Sequence, residues 1–194
     1  MITTESIKEL RDATGISVMQ CKKALEEAGG DREKALLILK KKSRDIALKK
    51  TDRTFGAGTV AAYIHGNGTV GAMVELLSET DFVAKNEEFR RLAYDIAMHV
   101  TASQPEFLAI GDVSEDARSK VKELFIDEVK SKPEHIREQI LEGKLAAYFK
   151  ERVLLEQSFI KNPDVTIGSL IESAVQKFGE KIAVRRFSRF AVLA

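Results

Sequence analysis

At 194 residues the chain is long enough for one or two domains with a real core, and 12 glycines and 3 prolines suit ordered helices better than a linker-rich array. With 44% hydrophobic and 31% charged residues, its composition is that of neither a disordered chain nor a membrane protein. The 31 Lys and Arg nearly cancel the 30 Asp and Glu, so no global field favours a polyanion, and nucleic-acid binding is not expected without a local basic patch.

The first fifty residues read as three short helices. Ile7 and Leu10 mark the first, which stops at Thr14 and Gly15. Ser17 with Gln20 three residues on starts the second, and Val18, Cys21, Leu25 and Ala28 form its apolar stripe before Gly29 and Gly30. Asp31 caps a third, with Ala35, Leu36, Leu39 and Ile46 inward and the lysines from Lys40 to Lys50 on a solvated face. The polar, glycine-rich stretch Thr51 to Gly58 then divides a helical module at 1–52 from a core at 53–194.

Thr59 to His65 and Thr69 to Leu77 alternate around Gly66-Asn67-Gly68 and read as a β-hairpin. Val60, Ala62 and Ile64 are expected to share one buried side with Val70, Ala72, Val74 and Leu76. Asn86 caps a helix with Glu87 and Glu88 in its first turn and Phe89, Leu92, Ala93, Ile96, Ala97 and Val100 along one face. Ser114 starts another helix carrying Val121, Leu124, Phe125 and Val129. After Lys132 and Pro133 a further helix runs to Gly143, giving a helical hairpin at about 114–143. Thr166 precedes a last helix ending at Gly179, with Val165 and Leu170 as a hydrophobic staple, and Ile182 to Val192 alternates as a strand. The expected class is α+β, a small antiparallel sheet packed on helices behind a three-helix module.

The chemistry is sparse. No phosphate-cradle, dinucleotide, nucleophile-elbow or zinc-helix motif occurs, so no enzymatic activity, cofactor or metal is expected. Cys21 is alone and lies on an apolar stripe, which suits a buried inert thiol and a reducing cytoplasm. The acidic start, Met1 to Leu10, reads as no export signal, and the glycine-broken run Thr54 to Val74 as no membrane span. His65, His99 and His135 are scattered and read as surface or capping residues, with His65 at the lip of the hairpin turn. Thr80-Asp81-Phe82-Val83 is the unusual segment, an acidic residue beside a large aromatic between strand and helix. Spacing alone leaves two places for Phe82: folded onto the core, or projecting into a partner's pocket.

Five ordered blocks carry a resemblance: Leu10-Arg-x-x-Thr-Gly15, Met19-x-Cys-Lys-Lys-Ala-Leu25, Gly30-Asp-x-x-x-Ala35, Glu79-Thr-Asp-Phe-Val-Ala-Lys-Asn86, and Ile96-Ala-Met-His-Val100 with Pro105-Glu-Phe107. Together they resemble the translation elongation factor Ts family across nearly the whole chain. The resemblance implies a guanine-nucleotide exchange factor for elongation factor Tu, with a ubiquitin-associated-like N-terminal module and a protruding helical hairpin. It implies that Phe82 is a wedge disturbing the partner's magnesium and nucleotide site, that Asp81 is its polar companion, and that Thr80 and Val83 set the turn. Arg11 and Met19 are implied to dock on the partner, and His65 to approach its phosphate loop. Longer family members carry the hairpin-plus-helix unit twice. Here one unit joins Thr80 to Val83, typical of the first copy, to Tyr63-x-His-Gly66 and Ile96 to Val100, typical of the second, which resembles short forms that act as homodimers. Two other classes stay open, a non-catalytic interaction module and an RNA-associated translation factor using the Lys40 to Lys50 face.

Overall fold

A computed structural model describes residues 2–131 and 133–193. Lys132, at the predicted junction of the helical hairpin, lies outside the described residues. The architecture is α+β. Three helices come first: α1 (Thr4–Thr14), α2 (Val18–Glu27) and α3 (Arg32–Leu48). Their starts follow the sequence, because the side chain of Ser17 accepts from Gln20 N and that of Asp31 from Glu33 N and Lys34 N. Gly15, at φ 67°, closes α1 in the left-handed conformation that favours glycine. Leu10, Ile16, Cys21, Ala24, Leu25, Ala35 and Leu39 form a small core among these helices.

The main core lies under a three-stranded antiparallel sheet of order β1 (Ala57–His65), β2 (Val70–Ser78) and β5 (Ala183–Ala191). The one-turn helix α4 (Asp81–Ala84) and the long helix α5 (Glu87–Ser103) follow β2, and α5 packs along one face of β1 and β2. Phe89, Ala93, Ile96, Ala97 and Val100 are fully buried there, and the Asn86 side chain caps the helix by accepting from Glu88 N. A hairpin of α6 (Glu115–Lys130) and α7 (Glu134–Lys150) leads through a two-stranded ribbon, β3 (Ser158–Phe159) and β4 (Asn162–Thr166), into α8 (Ile167–Phe178).

Three expectations need correction. In β1 the covered face is Thr59, Ala61 and Tyr63, not Val60, Ala62 and Ile64. Ala61 opposes Val74 and Tyr63 opposes Ala72, whereas Ala62 opposes Met73 and Ile64 opposes Gly71. Residues paired across antiparallel strands share a face, so the more aliphatic set of β1 lies on the side that no helix covers. Next, α7 runs past Gly143 to Lys150: one interior glycine costs only about 1 kcal/mol, and buried Leu141, Leu145 and Phe149 continue the stripe on both sides of it. Finally, Leu124 points to solvent while Val121 and Val129, on the same helix, are buried.

The third helix belongs to both cores. Ala35 and Leu39 sit in the N-terminal cluster, while Ile46 and Ala47 pack against the main one. Buried Ser43, between them, donates to Gln176 Oε1 on α8, and Gln176 Nε2 donates to Gln20 Oε1 on α2 at 3.1 Å. Lys50 Nζ reaches Gly179 O at 2.7 Å, and Lys181 Nζ donates to Thr51 O and Arg53 O. The connection after α3 is therefore tied down at several points.

Candidate functional site

Thr80, Asp81, Phe82 and Val83 form the turn from β2 into α4 and α5. Val83 and Ala84 are buried and anchor it to the core. Phe82, one residue earlier, projects outward with 81% of its surface exposed. The ring is therefore not folded onto the core. An exposed phenyl ring gains nothing from its own fold, since burial is what makes an aromatic stabilising. Asp81 is also exposed, and Lys85 Nζ donates to its Oδ2 at 2.6 Å, which holds its carboxyl below the usual carboxylate range. The Thr80 side chain does not cap α4; its hydroxyl donates instead to Glu180 Oε1 at 2.5 Å.

Arg11 and Met19 lie on the N-terminal helices. Met19 is 69% exposed on the first turn of α2, and Arg11 is exposed near the end of α1 beside Asp12. Arg11, Ser17 and Gln20 face Glu88 of α5 and Lys177 of α8 across an open cleft of ≈ 610 Å³. Lys177 Nζ donates to Glu88 Oε1 at 2.7 Å on the far wall. Arg11 of the module and Glu88 in the first turn of α5, six residues past Phe82, thus border one cleft, and Met19 lies outside its lining.

His65 is elsewhere. It ends β1 at the hairpin tip, where it is exposed and opposes Val70, while the Phe82 turn follows Ser78 at the other end of β2. Eight strand steps separate the two ends, about 27 Å at about 3.4 Å per residue. The structure does not bring His65 and Phe82 together within one chain. Tyr63 OH and His65 Nδ1 are 2.9 Å apart, and Tyr94 stacks edge-on to Tyr63, so His65 is held by an aromatic pair.

Cys21 and His99 lie inside the fold. Cys21 is buried, its thiol donates to Ile16 O at 3.6 Å, and burial pushes its pKa up, as suits an inert thiol. His99 departs from the surface reading: it is fully buried. Ile160 N donates to its Nδ1 at 3.4 Å, which leaves Nε2 to donate to Gln157 Oε1 at 2.9 Å, and desolvation lowers its pKa. Ser103 Oγ, one turn on, is also 3.4 Å from Nδ1, but Gln157 and Ile160 lie about sixty residues away in sequence, where no local signal points to them. Among the described residues no group of three or more His, Cys, Asp or Glu is placed to hold a metal ion, and no helix is long and apolar enough to cross a membrane.

The sequence pattern of the family described as Elongation factor TS matches residues 33–194. The chain belongs to the elongation factor Ts family. The elongation factor Ts of Carboxydothermus hydrogenoformans is 47% identical over 192 residues, covering 98% of this chain and 88% of that protein. That of Acetivibrio thermocellus is also 47% identical over 192 residues, covering 98% and 89%. That of Thermosipho melanesiensis is 46% identical over 194 residues and spans 99% of both chains. The similarity therefore includes the N-terminal helices that precede the family pattern. Membership of the elongation factor Ts family makes the chain a translation elongation factor, with a part in protein biosynthesis.

Proposed function

We propose that this chain is a non-enzymatic guanine-nucleotide exchange factor that binds elongation factor Tu and promotes release of its GDP. The observation that carries this reading is Phe82, a phenyl ring held 81% exposed on a turn whose next two residues are buried. An exchange factor needs no covalent chemistry. It binds the nucleotide-free GTPase more tightly than the GDP-bound form, and by linkage it weakens GDP by the same factor. Magnesium requires near-ideal octahedral geometry and neutralises the phosphates, so a ring that displaces the elements holding it removes a main counter-charge from GDP. Phe82 is the wedge, Asp81 its polar companion, and Arg11 and Met19 dock the helical module on the partner. The module's likeness to ubiquitin-associated domains belongs to the same reading.

Assembly completes it. Val60, Ile64, Met73, Phe190 and Val192, 49–70% exposed, share the sheet face opposite α5. A patch of this kind across three adjacent strands invites a second copy, and a two-fold dimer closes it with the same face on both subunits. A second copy also answers the separation of His65 from Phe82, because His65 then acts from the other subunit. The test is release of fluorescent GDP from purified elongation factor Tu, with and without this chain. Acceleration at substoichiometric chain is expected; release at the intrinsic rate, with binding intact, leaves an interaction module instead.

A further inference from the structure

An exposed side chain cannot orient itself. Phe82 has little of its own fold to rest on, so its direction is inherited from the backbone that precedes it. That backbone is held with unusual completeness. Glu180, in the loop between α8 and β5, accepts from Glu79 N and from Thr80 N through Oε2, each at 3.0 Å, and from Thr80 Oγ1 through Oε1. Ser78 is fully buried, and its hydroxyl donates to Thr80 O at 3.0 Å. The polar atoms of Thr80 are thus all engaged immediately before Phe82 is launched.

The grip is reciprocal. Glu79 returns it, accepting through Oε1 from Lys181 N, next to Glu180, at 2.5 Å. Arg53 Nη1 reaches both Glu79 carboxylate oxygens at 3.2 Å, and the bond from Lys181 N, with the Arg53 charge, holds the Glu79 carboxyl below its ordinary range. Lys181 Nζ spans from the same loop to Thr51 O and Arg53 O. On the remaining side Gly56 lies so close that a Cβ there would stand 2.6 Å from Glu79 O. Two adjacent loops each offer a carboxylate to the other's backbone, and the strand that enters from the helical module fills the space beside them.

We propose that Glu180, paired with Glu79 in this clasp, is a positioning residue for nucleotide exchange that fixes the direction in which Phe82 is presented to the GTPase. The proposal rests on the exchange reading of Phe82 given above. Glu180 does not touch the ring. It acts by ordering the turn before the partner arrives, so that the ordering is not a cost of forming the complex. Docking through Arg11 and Met19 is separate, so loss of the clasp is expected in the maximal rate rather than in the concentration giving half of it.

The experiment compares wild type, Glu180→Ala and Glu180→Gln in stopped-flow release of fluorescent GDP from elongation factor Tu, over a range of chain concentrations. Amide hydrogen exchange at Glu79 and Thr80 is followed in parallel. Glu180→Ala is expected to speed both amides and to lower the maximal release rate about five- to tenfold, leaving half-saturation within about twofold, as for loss of preorganisation. Glu180→Gln is expected to restore most of the rate. Its amide oxygen can still take the two backbone N–H groups, and its NH₂ can donate to the Thr80 hydroxyl. Thr80→Val removes only the hydroxyl bond and tests the same point if Glu180→Ala fails to fold; a fall of about two- to threefold is expected for one lost hydrogen bond. Faster exchange at Glu79 and Thr80 with an unchanged maximal rate overturns the positioning role and leaves a structural brace. A wild-type chain that releases no GDP removes the exchange reading, and the proposal with it, which is a distinguishable failure.

Discussion

Asp81 and His99 show how differently two polar residues are placed. Asp81 shares its carboxylate with Lys85 on an open surface, where such pairs contribute little. Asp81→Ala is expected to slow catalysed GDP release only about two- to threefold, the scale of an exposed rim charge. A defect as large as that of Phe82→Ala in the same release assay would reverse their roles. His99 is buried and neutral, with a pKa depressed by desolvation. Between that lowered value and about 6.5 the unfolded chain binds one more proton than the folded one, so stability falls as pH drops through this window, by up to about 1.4 kcal/mol per pH unit. Urea unfolding from pH 7.5 to 5 is expected to show this slope, and His99→Gln to lose it. Equal slopes in the two proteins would exclude His99 as the group. Neither the exposure of Phe82 nor the burial of His99 was legible in the sequence. Phe82 stood open between core and surface because one aromatic in a turn has no periodicity to place it. The partners of His99, Gln157 and Ile160, come from a distant segment.

At the scale of elements, the helices were legible and their assembly was not. Ser17, Asp31, Asn86, Ser114 and Thr166 each cap the helix that the sequence assigns to them, because a cap is a bond to an amide two or three residues away. The covered face of β1 was misread because alternation fixes which residues share a face but not which face a helix covers. The seating of α3 on α8 was also invisible, since Ser43 and Gln176 are 133 positions apart. That seating has a measurable consequence. Ser43→Ala leaves Gln176 Oε1 buried without its donor and is expected to cost about 1–3 kcal/mol in denaturant unfolding. Replacing Gln176 by Met in the same chain removes the stranded acceptor and is expected to recover part of the loss. Unchanged stability in Ser43→Ala would show that α3 is held on α8 by apolar packing alone.

For the whole molecule, the sheet has one face under α5 and one face open. The C-terminal strand divides between them: Val184 is buried and Phe187 packs on the core, and only Phe190, with Val192 beyond the strand, joins the open face. Phe187 and Phe190, three residues apart, face opposite sides, and the irregularity of register at Glu75 and Leu76 puts Val184 on the Phe187 side rather than with Phe190. Light scattering across a concentration series is expected to give twice the 21.6 kDa chain mass, and Phe190→Glu to return it to one. A single-chain mass at every concentration would leave each subunit to act with only its own His65 and Phe82. The central claim is that an exposed ring, rather than docking alone, releases the nucleotide. Stopped-flow release of GDP from elongation factor Tu, with wild type and Phe82→Ala side by side and melting curves on both, tests it most directly. The account predicts release slowed about tenfold or more with melting nearly unchanged, as for a buried aromatic anchor removed from a partner's interface. Equal release by the two proteins, or a variant that fails only because its own fold melts, would contradict it.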